Sequence, residues 1–156
     1  MQLTQFTDYS LRVLIFLACK KGSSSSIDEI SRNYNLSINH LRKVIHKLGQ
    51  LDYIDTSRGK GGGIKLAQCP GKINLGTLIR QLEPHFDLVE CFTNARPGCK
   101  IAAACRLKGV FAEALNSFLA VFDGYSLADV LVQQDELVQL FGFSLSSVSN
   151  KKLARR

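Results

Sequence analysis

The sequence predicts a mainly α-helical fold with one small β-hairpin, an α+β class, and three observations carry that reading. Apolar residues recur at three- and four-residue spacing over most of the chain. A single pair of short β-prone runs, 53–56 and 64–67, flanks the stretch Arg58-Gly-Lys-Gly-Gly-Gly63. A long apolar helical segment then follows at 107–122.

The first helix is expected over 4–21, with Phe6, Tyr9, Val13, Leu14 and Leu17 on one stripe and Gly22 as its stop. Four serines make a loop. Ser26-Ile-Asp-Glu29 then reads as a capping box, in which hydroxyl and carboxylate satisfy each other's orphan backbone donors. It opens a short helix, 27–33, that gives way near Asn35. Ser37 is placed to cap the next helix. There Leu41, Val44, Ile45, Leu48 and Leu51 share one face, and Asn39, His40, Arg42, Lys43, His46 and Lys47 share the other. Two short helices joined by a tight turn, the second basic on its outside, form a helix-turn-helix over about 28–51. The hairpin after it, about 53–67, has glycine at four of its six linking positions and reads as the wing of a winged helix.

Leu75, Leu78, Ile79 and Leu82 mark a further helix, capped by Asn74 and closed by Pro84. Residues 85–106 lack a clean period and hold three cysteines. On 107–122, Leu107, Val110, Phe111, Ala114, Leu115, Phe118, Leu119 and Phe122 make one broad apolar face, wide enough to pack against a second subunit. Ser126-Leu-Ala-Asp129 opens a last short helix. Residues 144–156, serine-rich and then basic, read as a disordered tail. The expected division is a winged helix over 1–84, a cysteine loop over 85–106, a dimerisation helix with a short follower over 107–143, and the tail.

Charge is divided along the chain. Residues 1–65 carry ten Lys/Arg against five Asp/Glu, whereas 66–143 carry six against eight. A basic N-terminal half suits a polyanion partner, here double-stranded DNA. Ser37, Asn39, His40 and Lys43 lie in the first turns of the second helix of the helix-turn-helix, the part that reaches base edges in a major groove. Asn39 is suited to adenine, and Lys43 to guanine or a phosphate. Arg58 and Lys60 at the wing tip suit a minor groove or its flanking phosphates. No stretch is long and apolar enough to span a membrane, and the first residues lack a signal-peptide pattern, so a cytoplasmic protein with no membrane partner is expected. Enzymatic chemistry is not expected. The chain has no G-x-S-x-G or H-E-x-x-H motif, and the wing lacks the spacing of a phosphate-binding P-loop.

Of five cysteines, Cys91, Cys99 and Cys105 fall within fifteen residues, spaced C-x7-C-x5-C. In a reducing compartment a disulfide framework is disfavoured. Thiolates are soft ligands for zinc or an iron–sulfur cluster, and this spacing is neither a zinc-knuckle pair nor a ferredoxin run. Arg96, Lys100, Arg106 and Lys108 would offset the charge of such a group. Cys19 and Cys69 have no partner at ligand spacing and read as structural thiols.

The phrases MQLTQFTDYSLRVLIFLA, RGKGGGIKL, LIRQLEP and CRLKGVFAEALNSFL occur in order along the chain. In these the sequence resembles the winged-helix iron–sulfur transcriptional repressors from Met1 to about Phe143, and most of all their nitric-oxide-sensitive branch. The resemblance implies a homodimer on a palindromic promoter operator, with an iron–sulfur cluster (2Fe–2S or 4Fe–4S) on Cys91, Cys99 and Cys105. It further implies release from DNA when nitric oxide nitrosylates that cluster. Relatives that regulate cluster assembly place a histidine three residues after the last cysteine, where this chain has Lys108. The nitric-oxide-sensitive branch offers a carboxylate from the N-terminal helix, within or across the dimer, at the position of Asp8. His85 is a second candidate for the fourth ligand. Two alternatives stand beside this reading: a sensor of iron–sulfur supply, and a small iron–sulfur electron-transfer protein.

Overall fold

The computed structural model describes residues 2–59, 62–92, 99–101 and 104–143. The tail at 144–156, expected to be disordered, lies outside the described residues, as do Lys60 and parts of the cysteine segment.

Helix α1 (Gln5–Cys19) packs its inner face into the hydrophobic core. It buries Val13, Leu14, Phe16, Leu17, Ala18 and Cys19, a wider surface than the one stripe its spacing suggested. Thr4 caps it, accepting from the Thr7 N–H, while the Thr4 N–H and hydroxyl both donate to the Glu83 carboxylate at 2.8 and 3.1 Å. The start of α1 is thereby tied to a residue far along the chain.

Helix α2 (Ile27–Tyr34) begins at Ser26, whose Oγ accepts from the Glu29 N–H at 3.1 Å. Only half of the expected capping box forms. The Glu29 carboxylate turns instead to the Lys20 ammonium, a charged donor that binds it more strongly than a backbone N–H. Asn35 ends α2 in the left-handed region with φ of 52°, and α3 (Ile38–Gln50) follows after the three-residue turn 35–37. Leu41, Val44 and Leu48 on α3 are buried against the core.

Strands β1 (Ile54–Ser57) and β2 (Gly63–Leu66) pair antiparallel, with Ile54 opposite Leu66 and Thr56 opposite Ile64. Both lie within one residue of their expected ends. The loop before α2 extends this hairpin, since Ser25 and Ile64 exchange backbone hydrogen bonds of 2.9 and 2.8 Å. Gly63 permits that approach: a Cβ there would lie 2.9 Å from both Ser24 Cβ and Ser25 O.

Helix α4 (Leu75–Leu82) is capped by Asn74, as expected, through Oδ1 accepting from the Thr77 N–H at 2.9 Å. It fastens the end of α5 (Leu107–Asp123) to the body. Arg80 makes a two-pronged ion pair with Asp123, Asn74 Nδ2 donates to the Asp123 carbonyl, and Leu75 N–H donates to the Tyr125 carbonyl. Gly76 leaves room for the Asp123 carboxylate.

The apolar surface of α5, read from the sequence as one broad face, divides in two. Leu119 is buried, with Phe111, Leu115, Phe118 and Phe122 half-buried beside it. Leu107, Val110 and Val121 are 55%, 57% and 60% exposed. The last segment also differs from expectation. Asp129 accepts from the Ser126 N–H and hydroxyl, which holds its carboxyl below the usual carboxylate range. The chain then makes a 3-10 turn (Ala128–Leu131) and a separate helix, α6 (Gln134–Leu140). Beyond α6, Phe141 and Phe143 set their edges on Phe16 at centroid distances of 5.1 and 5.0 Å.

Candidate nucleic-acid interface and cysteine segment

The outer face of α3 carries Asn39, His40, Arg42 and Lys43, all exposed, and the helix contains no carboxylate. Ser37 sits at its N-cap position as expected, yet its hydroxyl makes no capping bond. The first N–H groups of α3 therefore have no side-chain cap from Ser37. Arg42 Nη1 donates to Asn39 Oδ1 at 3.1 Å. The sequence places Arg42 on this face without giving it a role; its three-residue spacing from Asn39 is the available signal.

Arg58 is exposed at the wing end of β1. Lys60, expected beside it, lies outside the described residues. The wing base is held by the Tyr53 hydroxyl donating to Gln81 Oε1 at 2.7 Å. Helix α1 touches α3 through Tyr9, whose ring centroid is 6.3 Å from that of His40.

Cys105 is half-buried and stands two residues before α5, while Cys99 is exposed; both are free thiols. Cys91 falls in the short 3-10 turn Glu90–Phe92. Residues 93–98 and 102–103, between these cysteines, lie outside the described residues. Among the described residues no three His, Cys, Asp or Glu side chains already converge on a metal position. The donor set nevertheless suits an iron–sulfur cluster: soft thiol sulfurs, free of disulfides where described, on a segment anchored at both ends by folded elements. Cys19 is different in kind, being buried on α1 with its thiol pushed up by burial. Cys69 is exposed after the wing.

Asp8 lies on α1, half-exposed, and its carboxylate is gripped twice by Arg12, with Nη2–Oδ2 at 2.8 Å and Nε–Oδ1 at 3.1 Å. That pairing raises the Arg12 pKa further. The Arg12 carbonyl accepts from the Tyr34 hydroxyl at 3.0 Å. Asp8 and Arg12 border an open cleft of about 740 Å³ together with Phe118 and Phe122 of α5. His85 is largely exposed, with Nδ1 3.7 Å from Asp87 Oδ2. No described helix is long and apolar enough to cross a membrane.

Known proteins match this arrangement. The family described as "Rrf2: Iron-dependent Transcriptional regulator" matches residues 3–133. The HTH-type transcriptional regulator NsrR of Bacillus subtilis is 48% identical over 141 residues, covering 90% of this chain and 97% of that protein. Its namesake in Halalkalibacterium halodurans is 47% identical, with the same coverage. Among solved structures, T. potens IscR superposes with a TM-score of 0.68 at 26% identity, covering 88% of this chain and 90% of that one. The chain is a DNA-binding transcription regulator rather than an enzyme, and it belongs to the Rrf2 family of iron-dependent transcriptional regulators.

Proposed function

We propose that the protein is a homodimeric repressor that holds an iron–sulfur cluster, binds a palindromic promoter operator, and leaves it when nitric oxide nitrosylates the cluster. In this division residues 1–84 bind DNA, 85–106 hold the cluster, and 107–143 dimerise. The observation that carries the reading is continuity: Cys105 leads directly into α5, and α5 bears an apolar stripe with no cover in its own chain among the described residues. Leu107, Val110 and Val121, joined by Ala114 and Ser117 between them, follow the alternating three- and four-residue spacing of a helix–helix seam.

Cys91, Cys99 and Cys105 supply the thiolates, and Asp8 completes the set from the other subunit. The rise of a helix supports that crossing. Within one chain Asp8 borders the cleft at Phe118 and Phe122, roughly 17–22 Å along α5 from the end where Cys105 sits. A two-fold axis across the stripe runs the two α5 helices antiparallel, so the far half of one helix lies beside the cysteine end of the other. Asp8 of the partner subunit then reaches the cysteine segment once Arg12 yields it.

When bound, the cluster supplies the iron to which nitric oxide adds. The chain's own residues convert that event into a change at DNA. Release of Asp8 returns it to Arg12, and the next residue, Tyr9, rests on His40 of α3. A shift of α1 therefore reaches the recognition helix. Ser37, Asn39, His40 and Lys43 enter the major groove, and Arg58 and Lys60 follow the backbone beside it. Two recognition helices must match one helical turn of DNA, so a small change in their separation weakens both contacts.

Anaerobic reconstitution with iron and sulfide tests the ligand set. Wild type, Cys19→Ala and Cys69→Ala are expected to take up a visible chromophore. Cys91→Ala, Cys99→Ala and Cys105→Ala are expected to stay colourless, keep the helical circular dichroism of wild type, and lose tight promoter binding. A Cys105→Ala protein that keeps both its chromophore and its promoter affinity contradicts the proposal.

A further inference from the structure

The hydrogen bond between Arg42 and Asn39 reassigns the chemistry of the recognition helix. Both side chains are exposed, three residues apart on the outer face of α3, and Nη1 of Arg42 donates to Oδ1 of Asn39 at 3.1 Å. A guanidinium has five donors in a fixed plane, and this bond uses one of them. The Nε and Nη2 hydrogens remain on a single edge, held in orientation by the amide. Helix α3 has no carboxylate to claim them. That edge matches the O6 and N7 acceptors of guanine in the major groove.

The same bond weakens the case for Asn39 as an adenine reader. Bidentate pairing with adenine requires Oδ1 to accept from N6 while Nδ2 donates to N7. Here Oδ1 already accepts from a cation on one of its two lone pairs, so an adenine N6 would have to share that oxygen with Arg42. Lys43, one position on, is a flexible point charge with no fork to orient, which suits a phosphate.

We infer that Arg42 reads one guanine in each operator half-site and that Asn39 is the positioning residue that aims it. This rests on α3 being the helix in the groove. It extends that reading to a specific base and a residue outside the set proposed above.

Selection of binding sites from a randomised duplex library by the full-length dimer tests it. Wild type is expected to enrich a two-fold symmetric site with a guanine at one fixed position in each half. Arg42→Ala should lower the preference for that guanine by roughly ten- to a hundredfold and leave the other positions intact. Arg42→Lys should retain the salt dependence of binding but lose most of the guanine preference. Asn39→Ala should blunt preference at the same guanine and at no adenine.

Three outcomes overturn the inference alone: a guanine preference that survives Arg42→Ala, a lost adenine position in Asn39→Ala, or a loss in Arg42→Ala that is uniform over all sequences with a shallower salt slope, which marks a phosphate contact. A wild-type protein that enriches no common site overturns the groove assignment of α3 and the inference with it.

Discussion

Glutamate at both Val110 and Val121 is expected to make the protein monomeric and to lower its affinity for a two-half-site promoter fragment by about a hundredfold or more. These side chains are 57% and 60% exposed on the stripe that α5 turns away from its own body, so the substitutions leave the chain's core untouched. In a dimer the seam would bring up to four new carboxylates into an apolar contact, where burial of unpaired charge is unfavourable by several kcal/mol. The loss of affinity follows from linkage: one recognition helix bound makes the second binding event intramolecular, and a monomer forfeits that advantage. Light scattering on the eluting protein gives the oligomeric state, and anisotropy of a labelled duplex gives the affinity. A double variant that stays dimeric removes the α5 stripe from the interface.

Phe16→Ala is expected to destabilise the fold by about 3–5 kcal/mol, a large part of the ~5–15 kcal/mol that holds a domain of this size. Phe16 is fully buried on α1 and meets Tyr34, Phe141 and Phe143 at ring distances of 6.0, 5.1 and 5.0 Å. Its removal opens a cavity between α1, the end of α2 and the segment after α6. The cost follows from the lost burial of the ring and from the incomplete relaxation of the side chains around it. Val132→Ala, at a residue 84% exposed, should change stability by no more than about 0.5 kcal/mol. Urea unfolding followed by circular dichroism measures both, and a Phe16→Ala cost under about 1 kcal/mol contradicts this account of the core.

How much of this is legible in the residues depends on the range of the interaction. Local signals are legible. Ser26, Asn35 and Asn74 mark helix ends through bonds to their own neighbours or through a left-handed φ, and the hairpin follows from its glycines. Ser26-Ile-Asp-Glu29 is half right, because the Lys20 that captures the Glu29 carboxylate comes from another element. The two faces of α5 cannot be separated by periodicity, since both are apolar and only the tertiary fold decides which one the chain itself covers. Helix α6 escapes the pattern as a separate element, its start being obscured by the 3-10 turn that Ser126 and Asp129 favour. At the candidate site the residue types on α3 are legible, but the Arg42–Asn39 bond depends on rotamers that the sequence does not state. The electron-transfer alternative gives way to membership of a family of transcriptional regulators, matched from residue 3 to residue 133.

In the proposed switch, nitric oxide acts at the cysteine segment to alter DNA affinity. Its most direct test follows visible absorption and promoter-fragment anisotropy together, in one anaerobic sample at fixed salt, as nitric oxide is added. The chromophore is expected to bleach and promoter affinity to fall in step, with non-specific binding to unrelated duplex unchanged. A chromophore that bleaches while promoter affinity holds, or a colourless reconstituted protein that binds the promoter as tightly as any other preparation, would contradict it.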